Sequence, residues 1–136
     1  MYPTIEEFDY VEEVVFDHVG KPFISYSQKT RNADTDLPLH SESGYLRPIG
    51  TDGLEFVVAQ PTGIVELHEG AFTVSNSGGV LELASTLVPT TATAVEVERV
   101  HRVIEVDGGS MSYHLDMAAA GQVFQRHLTA ELRRAE

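Results

Sequence analysis

The chain has no cysteine among its 136 residues. Disulfides, thiolate metal sites and cysteine nucleophiles are therefore excluded, and the absence fits a reducing cytoplasm. Tryptophan is also missing. No apolar run approaches the roughly 20 residues that a membrane-spanning helix needs. The N-terminal Met1-Tyr2-Pro3-Thr4-Ile5-Glu6-Glu7 has neither the basic region nor the apolar core of a secretory signal, so a cytoplasmic location is expected. Basic residues are scarce: 9 Lys and Arg face 21 Asp and Glu, a net charge of -12. Phosphate backbones and anionic membranes attract clustered cations, so neither nucleic acid nor a membrane is an expected partner.

What is present is a succession of short strand-like runs. They are predicted at 8–16, 23–30, 42–49, 54–60, 63–69, 72–74, 80–87, 95–106, 111–117 and 125–133. Turn sequences divide them, among them His18-Val19-Gly20-Lys21-Pro22, Gly50-Thr51-Asp52-Gly53, Pro61-Thr62-Gly63 and Asp107-Gly108-Gly109-Ser110. Only 118–123 has any helical character, and Gly121 weakens it. The expectation is one all-β domain over 1–136: a single antiparallel β-barrel of about nine to ten strands, since closure removes exposed edges. A small barrel either fills its interior or holds one ligand. Small or polar faces at Ser25 and Ser27, Ser41 and Ser43, and Thr91 and Thr93 line such a lumen if they point inward and are ordinary solvated faces if they point outward.

The six histidines are the candidate nitrogen ligands. His18, His68, His101 and His114 sit in turns or among charged neighbours and read as surface residues. His40 closes a polar loop beside Leu39, and His127 lies in the last strand. No pair has the H-x-x-x-H spacing of zinc sites, so a zinc site built from the chain alone is not indicated. A single histidine can instead serve as the axial ligand of a haem, whose porphyrin supplies the other nitrogens. There is no G-x-S-x-G elbow, Walker A loop or dinucleotide fingerprint.

An ordered set of blocks carries a resemblance. They are Tyr2-Pro3-Thr4-Ile5, 16–22 (FDHVGKP), 38–48 (PLHSESGYLRP), 61–66 (PTGIVE), Thr91-Ala92-Thr93-Ala94, Leu115-Asp116-Met117-Ala118 and Gln125-Arg126-His127-Leu128. With this order and spacing the chain resembles the nitrobindin family, haem-binding β-barrels related in shape to fatty-acid-binding proteins. The resemblance implies a ten-stranded barrel with one haem b at its mouth. His127 matches the axial iron ligand, Thr4 a residue lining the haem site, and His40 the distal side. There His40 could hydrogen-bond a bound ligand, or else contact a haem propionate or solvent. The implied activity is isomerisation of peroxynitrite to nitrate at ferric haem, together with binding of nitric oxide.

Two departures from the family pattern stand out. The family's G-x-W-x-G-x-G strand before the Tyr-Pro-Thr block is absent here, which implies a gap and an exposed edge that a second copy of the chain could fill as a homodimer. Val95 stands where many relatives have a lysine. The other reading of the same barrel is a carrier of a small apolar ligand, without catalysis. Such carriers hold a carboxylate with a buried arginine, for which Arg47, Arg99 and Arg102 are the candidates.

Overall fold

The computed structural model describes residues 10–18, 20–119 and 121–134. These form nine strands and no helix: β1 Tyr10–His18, β2 Ile24–Asn32, β3 Pro38–Ile49, β4 Gly53–Ala59, β5 Val65–Val74, β6 Gly78–Leu87, β7 Val97–Asp107, β8 Ser110–Ala119 and β9 Gln125–Arg133. Each strand pairs antiparallel with its sequence neighbour, so spatial order equals chain order. The sheet curls into a half-barrel far enough for side chains of β1 and β8 to touch. The Tyr113 hydroxyl of β8 donates a hydrogen bond to the Glu12 carboxylate of β1. Among the described residues no ladder joins β1 to β9. The expected all-β barrel architecture is therefore present.

Alternation along each strand fixes which side chains face the concave side. Tyr26, Leu46, Leu54, Phe56, Val58 and Leu83 are buried there in one apolar cluster. Val97, Val100, Leu115 and Ala119 form a second. Tyr26 and Gln28 of β2 are buried between the less buried Ser25, Ser27 and Lys29, and Glu42 of β3 is buried between Ser41 and Ser43. The serine faces thus point away from the interior.

Three local expectations change. The runs at 63–69 and 72–74 are one continuous strand, β5. Gly70 does not break it; a Cβ there would meet the Glu82 carbonyl oxygen of β6 at 1.8 Å, so glycine permits a close backbone approach. Strand β3 begins at Pro38, which puts His40 in a strand instead of at the end of a loop. The stretch after β8 is not helical: Gly121 is at φ 77° and Gln122 N–H donates to the Ala119 carbonyl. That turn leads the chain back into β9.

The segment between β6 and β7 packs back on the β4–β5 turn. Val65 N–H donates to Pro89 and Thr91 N–H donates to Gly63, at 2.9 Å each. Gly63 is at φ 93°, and a Cβ would lie 2.2 Å from Thr91 Oγ1. This contact joins two of the sequence blocks, Pro61–Glu66 and Thr91–Ala94.

Gly70→Ala should destabilise the fold by about 1–3 kcal/mol, because the methyl group meets backbone that cannot rotate aside. Urea denaturation measures this, and a change below about 0.5 kcal/mol would show that β5 and β6 do not approach as described.

Candidate functional site: a cavity with an apolar wall and a charged floor

The concave side encloses a cavity of about 620 Å³. That lies within the range of small-molecule and cofactor sites, roughly 300–1,000 Å³. Its apolar wall comes from Val14 and Phe16 of β1, Ile104 of β7, Leu115 and Met117 of β8 and Leu128 of β9. Leu39, His40 and Thr129 line the more open part, where the His40 side chain is 36% exposed.

The deepest part is charged. Arg102 donates from Nε and Nη2 to the two oxygens of Glu66 at 3.0 and 2.8 Å. It donates from Nη1 and Nη2 to the two oxygens of Glu42 at 2.7 and 3.3 Å. All three side chains are at most 8% exposed. Further donors complete both carboxylates. Tyr26 O–H donates to Glu42 at 2.7 Å, and Gln60 Nε2 donates to Glu66 at 2.6 Å. The ring of His68 lies 2.7 Å from Glu66 through Nε2, and that of His40 3.1 Å from Glu42 through Nε2. Both carboxylates are acceptors, which places a hydrogen on each Nε2.

These contacts decide the ionisation states. Burial alone would push the Glu42 carboxyl up. The Arg102 guanidinium and hydrogen bonds from His40, Arg102 and Tyr26 override it and hold Glu42 well below the usual carboxylate range. Glu66 is likewise held low, by Arg102 and His68 against its burial. Burial opposes the charge on Arg102 too, but the two carboxylates push its pKa well above the ordinary value. Burial, reinforced by Glu42, raises the Tyr26 phenol out of the range where it could ionise. Two carboxylates and one guanidinium leave a net charge of -1 with neutral imidazoles. The floor is therefore anionic, and four of the five N–H groups of its one cation are already engaged.

The predicted site residues fare differently. His40 lines the cavity, and its Nε2 is committed to Glu42. Thr4 lies outside the described residues. The backbone of His127 is described and its side chain is not. In the β8–β9 ladder Leu115 pairs with Leu128 and Asp116 with Arg126, so His127 is the extra residue of a β-bulge. Bulges of this kind re-aim side chains and are frequent beside functional sites. The residues that follow it, Leu128 and Thr129, both line the cavity. Val95 is exposed and is not among the lining residues.

His68 corrects the sequence reading. It is 2% exposed and belongs to the core, not to the surface. Glu42 and Glu66, the anchors of the network, were not singled out from sequence. The available signal was their phase: Glu66 and His68 alternate with Val65, Leu67 and Glu69, an inversion that makes sense only if a cation waits inside. Of the three arginines proposed to hold a carboxylate, Arg47 pairs with Glu55 at 2.7 Å on the surface and Arg99 stacks on Phe124 at 4.1 Å. Only Arg102 enters the cavity.

An antiparallel half-barrel enclosing a largely apolar cavity of this size defines a small-molecule-binding barrel. The chain belongs to the THAP4-like, heme-binding β-barrel domain family, whose model matches residues 1–134. It is 48% identical over 135 residues to peroxynitrite isomerase 2 of Mycobacterium avium, a match that spans 98% of this chain and 83% of the relative. The peroxynitrite isomerase of Nocardia farcinica is 44% identical, over 98% and 79% of the two chains. The crystal structure of Rv2717c from M. tuberculosis superposes with a TM-score of 0.95 at 45% identity, covering all of this chain and 86% of that one.

Removing Arg102 should expose the cost of the floor. Arg102→Met leaves two carboxylates buried without their cation and should lower stability by about 3–5 kcal/mol at pH 7. The pH dependence should separate the two proteins. In the wild type the folded-state pKa values of Glu42 and Glu66 are depressed, so their contribution is complete above about pH 5 and drains as pH falls through and below about 4. In the variant the same carboxyls lose their cation and burial raises their pKa values, so acidification relieves it. The stability gap measured by urea denaturation should narrow from pH 7 to pH 4. A gap that stays constant or widens would show that the carboxylates do not depend on Arg102.

Proposed function

We propose that the chain is a haem b protein, one haem per chain with His127 as axial iron ligand, that isomerises peroxynitrite to nitrate and binds nitric oxide in the cytoplasm. The observation that carries this reading is the apolar cavity flanked by the β9 bulge at His127, in a chain whose family is haem-binding. The names of the relatives supply the reaction.

The residues present fit the cofactor. A porphyrin is planar and apolar with carboxylates at one edge. The apolar wall of Phe16, Leu115, Met117 and Leu128 suits the ring. The anionic floor disfavours carboxylates inside the half-barrel and leaves the more open side for them. Thr4 is proposed as a further lining residue. Ferric haem would supply an open coordination position on iron, a Lewis acid toward the anion and an acceptor of nitric oxide.

The chain's own groups then have limited tasks. Peroxynitrite and nitrate have the same atoms and the same charge, so the conversion takes up no electron and no net proton. A floor whose charged groups are mutually saturated is compatible with that, since nothing has to be delivered from it. Val14, Phe16 and Met117 keep water from the reacting volume. His40 stands at the rim; with its Nε2 hydrogen held by Glu42, Nδ1 offers a lone pair that can accept a hydrogen bond from the protonated form of the substrate but has no hydrogen to donate to an anion or a propionate. We assign His40 the substrate contact. The carrier reading loses its anchor, because four of the five Arg102 N–H groups already bind Glu42 and Glu66 and the surrounding charge is negative.

Hemin added to the purified chain should produce a Soret band that His127→Ala abolishes. His127→Ala retaining the wild-type spectrum and affinity would sink the axial assignment. His40→Ala should keep the band and lose about tenfold in kcat/KM, the worth of one hydrogen bond accepted from the protonated substrate. An unchanged kcat/KM would remove His40 from the reaction.

A further inference from the structure

We propose a metal site on the outer wall of the half-barrel, formed by His101, His114 and Asp116, for a divalent transition ion such as zinc. It is separate from the cavity and does not rest on the haem reading. Arg102 and Ile104 of β7 and Leu115 and Met117 of β8 line the cavity, so His101, His114 and Asp116 project from the opposite face by alternation. The hairpin register sets His101 directly opposite Asp116, with His114 two residues earlier on the same face. One ligand atom from each of the three lies within 4.8 Å of the others. Spacing along the chain does not reveal this group, because a β7–β8 hairpin assembles it.

The surroundings are arranged around a cation. His101 Nδ1 and Asp116 Oδ2 are 3.9 Å apart. Two ligands of a tetrahedral zinc with bonds of about 2.0–2.2 Å stand about 3.4 Å apart, so small side-chain rotations suffice. The far nitrogen of His101, Nε2, lies 3.3 Å from Glu82 Oε1. A carboxylate behind a ligating imidazole fixes its tautomer and orientation. The far oxygen of Asp116, Oδ1, accepts from Arg126 Nε, which leaves Oδ2 for the metal. All three ligands are partly buried, and His101 and Asp116 are 27% and 17% exposed. Asp116 and Glu82 against Arg126 leave one negative charge, complementary to a dication. Two imidazoles and one carboxylate suit zinc, copper or nickel over magnesium or calcium. Three protein ligands leave a fourth position, and a groove lined by Glu105, Ser112 and Glu131 runs beside His114 with room for water there.

Titration of the purified chain with zinc chloride alone, followed by isothermal calorimetry, should show one ion per chain. His101→Ala, His114→Ala and Asp116→Asn should each weaken binding at least tenfold, and Glu82→Gln should weaken it about tenfold. His127→Ala should bind zinc as the wild type does. His101→Ala and His114→Ala should unfold in urea as cooperatively as the wild type, which checks that they fold. The proposal is overturned if the wild type shows no binding below millimolar zinc, if the double variant His101→Ala/His114→Ala binds as before, or if His127→Ala abolishes binding.

Discussion

Arg102 reaches across the interior from β7 and holds the carboxylates of Glu42 on β3 and Glu66 on β5 with both ends of its guanidinium. Each of the three would be costly to bury alone, and together they are tolerable only because nearly every lone pair and N–H is used. The network ties three strands to one point, and Tyr26 and Gln60 extend it to β2 and to the end of β4. Phe56 seals it, with Tyr26 at 5.1 Å on one side, His68 at 5.8 Å and the Arg102 guanidinium 5.6 Å from its ring centre. One charged knot thus takes the place that aliphatic side chains fill in an ordinary small barrel.

That placement divides the cavity. The floor is polar and negative, and most of its donors are already engaged. The wall formed by β1, β8 and β9 is mostly apolar, with the Glu12 carboxylate of β1 held by Tyr113 and Gln28. A ligand must therefore be largely apolar where it is buried and carry any carboxylate toward solvent. A planar macrocycle with peripheral carboxylates meets this requirement, while a fatty acid anchored by an interior arginine does not. The clasp of Tyr113 and Gln28 on Glu12 holds β1 near β8 and sets how far that wall opens.

Much of this was legible in the sequence. Regular strand and turn spacing indicated the all-β barrel, and the hairpin turn at Asp107–Ser110 falls where β7 meets β8. The split of β5 was misplaced because glycine was read as a break when its role was a close approach to Glu82. The network was harder. Polar-out is the default for an antiparallel strand, and Glu66 and His68 invert it. Recognising the inversion requires knowing that Arg102, distant in sequence, sits opposite. His101, His114 and Asp116 were missed for a related reason, since their proximity is a matter of register and not of spacing. His40 lines the cavity, and its commitment to Glu42 could not be seen without the third dimension.

If the anionic floor excludes a carboxylate-anchored ligand, hemin and a fatty acid should not compete for the cavity. Competition calorimetry with hemin and a long-chain fatty acid tests it directly. Saturable uptake of one hemin per chain, unaffected by excess fatty acid, is expected. Stoichiometric fatty-acid binding that displaces hemin would contradict it.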